Sequence, residues 1–522
     1  MRLAGRRIPT GVLVLITLAV TAPLWSRPGP AQSAGVEVQA VSGGSLHTCA
    51  LTVAGGVMCW GDNGSGELGA GTDAIGSGAP VDMVNLEEGA AAVSAGGLQT
   101  CVLTAAGGVK CAGLNHLGQL GHDRMDLCFF FPCSLVPEYV RTLESGATAV
   151  ASGAGHACAL TAAGGVKCWG FNLVGQLGDG GACGQVCTTP IDVPGLESGV
   201  VEVGAGIGSS CAITTAGALK CWGGGGLGDG GACSGLCPPV QVVGLESGVA
   251  AVAVGSGGHS CALTTAGGVK CWGLNHVGQL GDGGTTDSSV PVEVVGLKQG
   301  VAAISADGLH TCALTTAGAV KCWGNNSFGQ LGLGVSDNDP HPLPKDVPGL
   351  EQGATAVSAG VGHTCAVLAS GGVKCWGASD YGQLGDGFGC FSLEGCPRPV
   401  DVWFDGDGDG CPDWRERGDT PASGGRRDAK NVWDFFDTPN SSNVRDGVIT
   451  AGDITRVVQR FGMSGNSGMD PLSLPPPPPT YHTAFDRTPA GMAPKGQEQG
   501  PNGSISAQDI ALGVGQFGNT CL

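Results

Sequence analysis

A fifteen-residue string recurs seven times along the chain, and this repetition constrains the fold more than any other feature of the sequence. Residues 259–273 show the pattern, His-Ser-Cys-Ala-Leu-Thr-Thr-Ala-Gly-Gly-Val-Lys-Cys-Trp-Gly. Successive copies lie 50 to 57 residues apart, a period too long for leucine-rich or ankyrin repeats. The leading cysteines of the copies are Cys49, Cys101, Cys158, Cys211, Cys261, Cys312 and Cys365.

Each repeat contains about four short strand signals separated by glycine-rich turns, without helical periodicity. An apolar alternation such as 356–360 precedes the string, and Gly-Gln-Leu-Gly or a variant follows it, as at 329–332. Four-stranded units repeated around a ring form a β-propeller, which leaves only short, protected sheet edges. The sequence therefore predicts an all-β, seven-bladed β-propeller over residues 36–403.

The composition agrees with this prediction and narrows the range of partners. Glycine accounts for 98 of 522 residues, far too many for a helical protein, while the apolar fraction of 42% is that of a packed chain. The formal net charge is −19, from 44 acidic and 25 basic side chains. Such acidity repels phosphate backbones, so we expect no nucleic-acid partner.

The two cysteines of each repeat lie ten residues apart, which fixes the register of the hairpin between them. Cys158 and Cys168 face each other if Thr161 pairs with Gly165, leaving the three-residue loop 162–164. Such a loop favours a left-handed glycine at its last position, and all seven copies have glycine there. Opposed cysteines lie within disulfide reach. We therefore predict seven disulfides: Cys49–Cys59, Cys101–Cys111, Cys158–Cys168, Cys211–Cys221, Cys261–Cys271, Cys312–Cys322 and Cys365–Cys375.

Eight further cysteines form close pairs in loops between strands. An even count in a secreted chain indicates disulfides, whereas metal ligation is the alternative for pairs this close. The spacings vary and no histidine recurs beside them, which favours disulfides. These pairs are Cys128–Cys133, Cys183–Cys187, Cys233–Cys237 and Cys390–Cys396. Cys411 and Cys521 remain, and by elimination a bridge between them is possible.

The N-terminus is typical of a secretory signal peptide. Arg2, Arg6 and Arg7 precede an apolar run at 11–25, and small residues flank a cleavage site after Ser33. An uncleaved membrane anchor is the alternative, but the run is short against the ~20 residues that span a bilayer. We therefore predict a signal peptide at residues 1–33, a secreted or cell-surface location, and no membrane insertion after cleavage.

The repeat resembles the regulator of chromosome condensation repeat family. The family pattern is matched by residues 308–315, Val320, Trp323-Gly324-Asn325 and 329–332, and the resemblance covers about 36 to 403. It implies a seven-bladed propeller. The family includes a nuclear guanine-nucleotide exchange factor, a plant ultraviolet-B photoreceptor and secreted bacterial inhibitors of β-lactamase, so the fold does not determine the function. The predicted signal peptide and the acidic net charge favour a secreted, bacterial-type member of this family.

Two positions of the repeat carry side chains that suggest a site. One has histidine in five copies, which could form a metal or acid–base site. Because a catalytic site needs distinct groups in distinct roles, a local hydrogen bond repeated in each blade is the favoured interpretation. The histidines are His47, His156, His259, His310 and His363, with Gln99 and Ser209 in the other copies. The other position has tryptophan, predicted to pack between blades, at Trp60, Trp169, Trp222, Trp272, Trp323 and Trp376, with Ala112 as the exception.

One loop between strands is unusually aromatic. Phe129, Phe130 and Phe131 stand between Cys128 and Cys133 in the second copy. Exposed aromatic side chains on a disulfide-closed loop suit a recognition surface, so we predict a binding loop here. The alternative is that the phenylalanines fold back onto the blade, as the general preference for burying Phe would suggest.

After residue 403 the repeat stops and an acidic segment begins, at 404–418. Oxygen ligands occupy positions 1, 3, 5, 9 and 12 of a twelve-residue loop, with glycine at position 6, as a calcium loop requires. The segment resembles a thrombospondin type 3 calcium repeat, and a solvated acidic linker is the alternative. The predicted calcium ligands are Asp405, Asp407, Asp409, the Cys411 carbonyl, Asp413 and Glu416.

Residues 431–521 contain a duplication, since 446–454 recurs 56 residues later as 502–510. The pair resembles the duplicated calcium loop and helix of dockerin modules, with a polyproline spacer at 475–479, and implies a helical tail. Dockerins place acidic ligands at positions 1 and 3, whereas these positions hold Ser442 and Val444 in the first loop and Glu498 and Gly500 in the second. Weaker calcium ligands are therefore Asp446, Asp453, Asn502 and Asp509.

No nucleophile elbow, phosphate loop or zinc-protease motif is present in the sequence. We therefore predict a secreted, non-enzymatic binding scaffold that recognises an extracellular or cell-surface protein and attaches through a calcium-dependent tail. One alternative is an enzyme or enzyme inhibitor that uses the propeller's central opening, which would require asymmetric polar residues there. Another is a structural component of a surface array, which would self-associate.

Overall fold

The computed structural model describes residues 36–124, 126–128, 131–233, 235–387, 390 and 395–404, with two strand segments nearer the C-terminus. The predicted signal peptide, the calcium loop and nearly all of the dockerin-like module, including its predicted helices, lie outside these residues. The described part contains no helix, and hence none that could cross a membrane.

Seven antiparallel sheets form the seven blades, and in six of them the strands follow one another in chain order. Blades 1 to 4 comprise β1 (Val38–Gly43), β2 (His47–Thr52), β3 (Val57–Asp62), β4 (Gly76–Asp82), β5 (Ala90–Ala95), β6 (Gln99–Thr104), β7 (Val109–Leu114), β8 (Asp126–Cys128), β9 (Phe131–Tyr139), β10 (Ala147–Ser152), β11 (His156–Thr161), β12 (Val166–Phe171), β13 (Val186–Asp192), β14 (Val200–Ala205), β15 (Ser209–Thr214), β16 (Leu219–Gly223) and β17 (Cys237–Gln241).

Blades 5 to 7 comprise β18 (Val249–Val254), β19 (His259–Thr264), β20 (Val269–Gly273), β21 (Ser288–Glu293), β22 (Val301–Asp307), β23 (His310–Thr315), β24 (Val320–Asn326), β25 (Asp337–Asp346), β26 (Ala354–Ala359), β27 (His363–Leu368), β28 (Val373–Gly377) and β29 (Cys396–Asp401). Among the described strands, only blade 2 has a fifth, because β8 pairs with the outer edge of β9. Two short strands, β30 (Gly491–Ala493) and β31 (Gln497–Gln499), pair with each other.

The first strand of every blade lies at the centre of the ring. Each first strand contacts the first strands of both neighbouring blades, from β1 through β26 and back to β1. Within the described sheets no strand is shared between blade 7 and blade 1, so the ring closes through contacts between complete blades. One of these is the hydrogen bond from the Val38 amide to the Gly371 carbonyl, at 3.0 Å. The seven-bladed all-β propeller is therefore confirmed.

The hairpin between the second and third strands has the register that the cysteine spacing predicts. In blade 3 the Thr161 amide donates to the Gly165 carbonyl, and the Gly164 amide donates to the Thr161 carbonyl, both at 2.8 Å. The glycine that ends this loop has φ between 75° and 84° in all seven blades. Side chains other than glycine rarely adopt this left-handed conformation, which explains the glycine at this position.

The cores lie between adjacent blades and, in six of the seven interfaces, include a fully buried tryptophan of the following blade. The exception is the interface between blades 1 and 2, where blade 2 has Ala112. There the buried Met83 occupies the position that is valine in the other six blades, as at Val140. The larger methionine thus supplies part of the volume that the missing indole leaves.

Candidate functional site

The repeated histidine forms a hydrogen-bonded relay between blades. The Thr364 hydroxyl donates to the Gln330 carbonyl at 2.9 Å, and the Trp376 indole Nε1 donates to the same carbonyl at 2.9 Å. A hydroxyl has one proton, so the contact of 2.8 Å between His310 Nε2 and Thr364 Oγ1 must be donated by the histidine. The relay joins blade 6 to blade 7.

All five histidines make this contact with a hydroxyl of the next blade, at 2.7 to 2.9 Å. The bond therefore crosses to the neighbouring blade, rather than staying within one blade as the sequence interpretation supposed. Gln99 makes a comparable crossing, because its side-chain amide donates to the carbonyls of Gly153 and His156.

The imidazoles are neutral groups with a structural role. Burial lowers their pKa values to about 3 for His47 and His310 and to about 4 for the other three. Nδ1 of each ring is buried without a hydrogen-bond partner, as expected of a neutral ring that donates through Nε2. A ring of equivalent imidazoles that all face blade interfaces does not provide an acid–base site.

The interface between blades 4 and 5 lacks this relay. Blade 4 has Ser209 at the histidine position and a shortened Gly-Gly-Leu-Gly loop, and the indole nitrogen of Trp272 has no partner. Instead, Oε1 of Glu202 on β14 accepts the Val252 amide of blade 5 at 2.9 Å. Burial raises the pKa of Glu202 to about 7. Its position is alanine in the other six blades.

These two kinds of interface give a matched pair of variants. We expect Trp323→Phe to lose more stability than Trp272→Phe, because only Trp323 donates an indole hydrogen bond, at 2.9 Å, to the Gln279 carbonyl. The difference should be about 1 kcal/mol, the usual net value of one buried hydrogen bond. Urea unfolding of both variants measures it, and equal losses would contradict the assignment of the bond.

The propeller has two faces of different character. The upper face carries two kinds of connection in each blade: the turn between the first and second strands and the loop between the third and fourth strands. The lower face is the opposite face and carries the hairpin between the second and third strands. Neighbouring upper turns are linked around the opening, for example by the Ser45 amide and the Gly96 carbonyl at 3.1 Å. Most exposed large apolar side chains lie on the upper face: Ile75, Leu127, Phe131, Leu173, Val174, Val186, Ile207, Leu236, Leu274, Phe328, Val335, Val361 and Tyr381.

Four upper loops are closed by short disulfides with Cα atoms 5.8 to 6.0 Å apart, and the seven hairpin pairs are joined with Cα atoms 4.0 to 4.1 Å apart. The cysteine positions are thus compatible with the disulfides that the sequence predicts.

In the blade 2 loop the Phe131 side chain is 55% exposed, with its ring 5.9 Å from the His116 ring. Phe129 and Phe130 lie outside the described residues.

A cavity of about 240 Å³ lies at the upper end of the central opening. Residues of all seven blades line it, and most are glycine, alanine or serine. Asp307 is the one charged side chain among the lining residues that the structure describes. Burial raises the pKa of its carboxyl. The sequence interpretation missed this residue, although Asp307 stands where the other six repeats have glycine, and that departure was the available signal.

The predicted metal sites are not covered by the described residues. Both the loop from Asp405 to Glu416 and the four weaker ligand candidates lie beyond residue 404 and outside the two C-terminal strand segments. Within the described ranges, Asp179 lies beside Cys183 and Cys187, but these cysteines are joined to each other. The Asp179 carboxylate instead accepts the backbone amides of Gly181 and Cys183, at 2.9 and 2.6 Å.

Known proteins with the same repeat resemble this chain over the propeller. The ultraviolet-B receptor UVR8 of Arabidopsis thaliana is 32% identical over 359 residues, which cover 67% of this chain and 79% of the receptor. The E3 ubiquitin-protein ligase HERC2 of Homo sapiens is 31% identical over 363 residues, 67% of this chain but 6% of that ligase. Yeast RCC1 (Prp20), in its crystal structure with Kap60, has a TM-score of 0.57 at 20% identity, covering 73% of this chain and 90% of that one.

Family models give the same result. The model of the regulator of chromosome condensation (RCC1) repeat matches residues 38–67, which contain the first three strands and the start of the loop after the third. The model of the RCC1-like domain matches residues 76–407 and therefore most of the ring. The chain belongs to the RCC1-like domain family.

Proposed function

We propose that this chain is a secreted, non-enzymatic binding scaffold whose upper face recognises an extracellular or cell-surface protein. The observation that carries the proposal is the concentration of exposed apolar side chains on one face, beside loops closed by disulfides. Clustered exposed apolar residues are a property of protein interaction sites, and closed loops lose little conformational freedom on binding. Yeast RCC1, which shares this fold, was crystallised with a bound protein, Kap60.

The chemistry of the repeated polar residues argues for binding rather than catalysis. The five imidazoles are buried between blades, neutral, and hydrogen-bonded to hydroxyl groups. They therefore cannot reach a substrate on either face. A second candidate, an enzyme inhibitor that uses the central opening, is favoured by one observation, the asymmetric carboxylate of Asp307 in the cavity.

Secretion is supported by the cysteines. The described residues contain eleven disulfides and no free cysteine, a pattern that persists in oxidising compartments. The signal peptide at 1–33 would direct the chain there. The acidic loop at 405–416 would bind calcium through carboxylates at positions 1, 3, 5, 9 and 12, and with the dockerin-like module at 431–521 it would attach the propeller to its surroundings.

A capture experiment tests the function. The chain from residue 34 is immobilised and exposed to an extracellular protein fraction, and the bound protein is identified. We expect Leu173→Ser/Phe328→Ser on the upper face to lose at least about tenfold in affinity, as when two apolar contacts leave an interface. The matched control, Val53→Ser/Val243→Ser, removes two exposed apolar side chains from the lower face and should bind like the wild type.

Calcium dependence distinguishes attachment through the C-terminal tail from recognition by the upper face. Isothermal calorimetry should detect saturable calcium binding that Asp405→Ala/Asp409→Ala abolishes, and chelation should release a tail-bound partner but not one held by the upper face. Equal capture by the upper-face and lower-face variants would exclude the upper face as the binding site. Self-association of the purified chain in light scattering, with no foreign protein captured, would instead support a surface-array component.

A further inference from the structure

The lining of the central cavity is chemically uniform except on one side, where it includes a charged residue. Its lining comes mainly from upper turns of small residues, with the apolar side chains of Val252, Val254 and Ile304 below them. The hydroxyl of Ser152, also on the wall, has no hydrogen-bond partner. Asp307 of blade 6 adds a carboxylate to this otherwise uncharged lining.

Asp307 also has a structural role. The blade 5 turn that follows β18 is one residue longer than its counterparts, and Oδ1 of Asp307 accepts the Ser256 amide of this turn at 2.8 Å. The same oxygen accepts the Gly308 amide at 2.8 Å. The carboxylate therefore braces the longer turn against blade 6.

Bracing alone does not account for the charge. An asparagine carbonyl oxygen could accept the same two backbone amides. A half-buried carboxylate such as that of Asp307 carries a desolvation cost that a neutral amide largely avoids. A charged group retained at such a position suggests a cationic partner, which would offset that cost.

We propose that the cavity takes up a lysine side chain of the protein bound to the upper face, with its ammonium group paired to Asp307. This proposal rests on the proposed function, because it names the group that the protein bound to the upper face would place in the opening. The cavity volume of about 240 Å³ is large enough for a four-carbon stem with an ammonium group. Val252, Val254 and Ile304 offer apolar surface to the stem, as lysine stems prefer.

The charge of the whole chain favours the same occupant. With a net charge of −19, the protein attracts cationic groups and repels anionic ones. A lysine ammonium group presents this charge as a compact point on a flexible stem, whereas a guanidinium is planar.

The probe is Nα-acetyl-lysine methylamide, and its uncharged control is Nα-acetyl-norleucine methylamide, which keeps the stem without the ammonium group. Binding is followed by NMR of methyl-labelled isoleucine, since Ile304 lines the cavity while Ile213 is buried elsewhere and serves as an internal reference. We expect a saturable shift of the Ile304 methyl with the lysine probe, and binding at least about tenfold weaker with the norleucine probe.

Asp307→Asn keeps an oxygen acceptor for the Ser256 and Gly308 amides and removes the charge. We expect it to fold with wild-type stability and to bind the lysine probe at least about tenfold more weakly. Wild-type binding by this variant, equal binding of both probes, or no Ile304 shift would each overturn the proposal. If the probe fails while Leu173→Ser/Phe328→Ser still abolishes partner capture, the lysine proposal is wrong and the upper-face function stands.

Discussion

Acidification from pH 6.5 towards pH 4.5 is expected to destabilise the propeller steeply. The five interface histidines have pKa values of about 3 to 4 in the folded protein, against 6.5 when solvated. The unfolded chain therefore binds more protons across this window, and each such group removes about 1.4 kcal/mol of stability per pH unit. The stabilising contribution is complete above pH 6.5 and is lost progressively as the pH falls.

Buried carboxyl groups oppose part of this effect. Burial raises the pKa values of Glu67 and Glu202 to about 7, so these groups take up protons in the folded state within the same window. The pKa of Asp307 is raised as well. Five protons gained on unfolding by the histidines against two released by Glu67 and Glu202 leave a net slope of about 4 kcal/mol per pH unit.

Urea unfolding at several pH values, followed by tryptophan fluorescence, measures the slope. His310→Gln is the matched variant, since the chain itself uses glutamine at this position in blade 2, as Gln99. It should reduce the slope by about 1.4 kcal/mol per pH unit, the contribution of one proton. Stability that is unchanged between pH 6.5 and pH 4.5, or a slope that the variant does not alter, would contradict the assignment.

Reduction of the disulfides is expected to unfold the ring completely. Each hairpin bridge joins cysteines ten residues apart, and closing a loop of that size contributes about 2–3 kcal/mol. Loss of all seven would cost on the order of 15 kcal/mol, at or above the whole stability of a typical domain.

Single-pair variants test this account blade by blade. Replacing Cys312 and Cys322 together by alanine should lower the free energy of unfolding by about 2–4 kcal/mol. Replacing Cys233 and Cys237 by serine should cost less, because that bridge closes a loop of four residues at the surface. Equal losses, or a fully reduced chain that stays folded, would show that packing rather than cross-linking holds the blades.

The sequence was sufficient for features that repeat within one blade. The pairing of Thr161 with Gly165 follows from the cysteine spacing and the glycine of the loop, because local geometry determines both. The hydrogen bond from His310 to Thr364 could not be predicted in the same way, since it depends on how two blades are placed against each other.

Residues that break the repeat were the hardest to interpret. Asp307 stands where the other copies have glycine, and Glu202 stands where they have alanine. Their places, at the central opening and at an interface between first strands, follow from the closed ring and not from one repeat. For the aromatic loop, the sequence left exposed and buried phenylalanines as alternatives, and Phe131 is exposed in the structure. The exposure of Leu173 or Phe328 depends on which loops share a face, which no local pattern specifies.

The confinement of every described disulfide to a short segment has a consequence for how the chain acquires its structure. No described bridge spans more than ten residues, and none joins two blades. During synthesis from the N-terminus, each of these bridged cysteines therefore meets its partner before the next blade has emerged. Short loops close fastest, so native pairing is also the kinetically favoured pairing. A chain with so many thiols thus avoids a chain-wide search among wrong pairings, because oxidation can proceed one hairpin at a time.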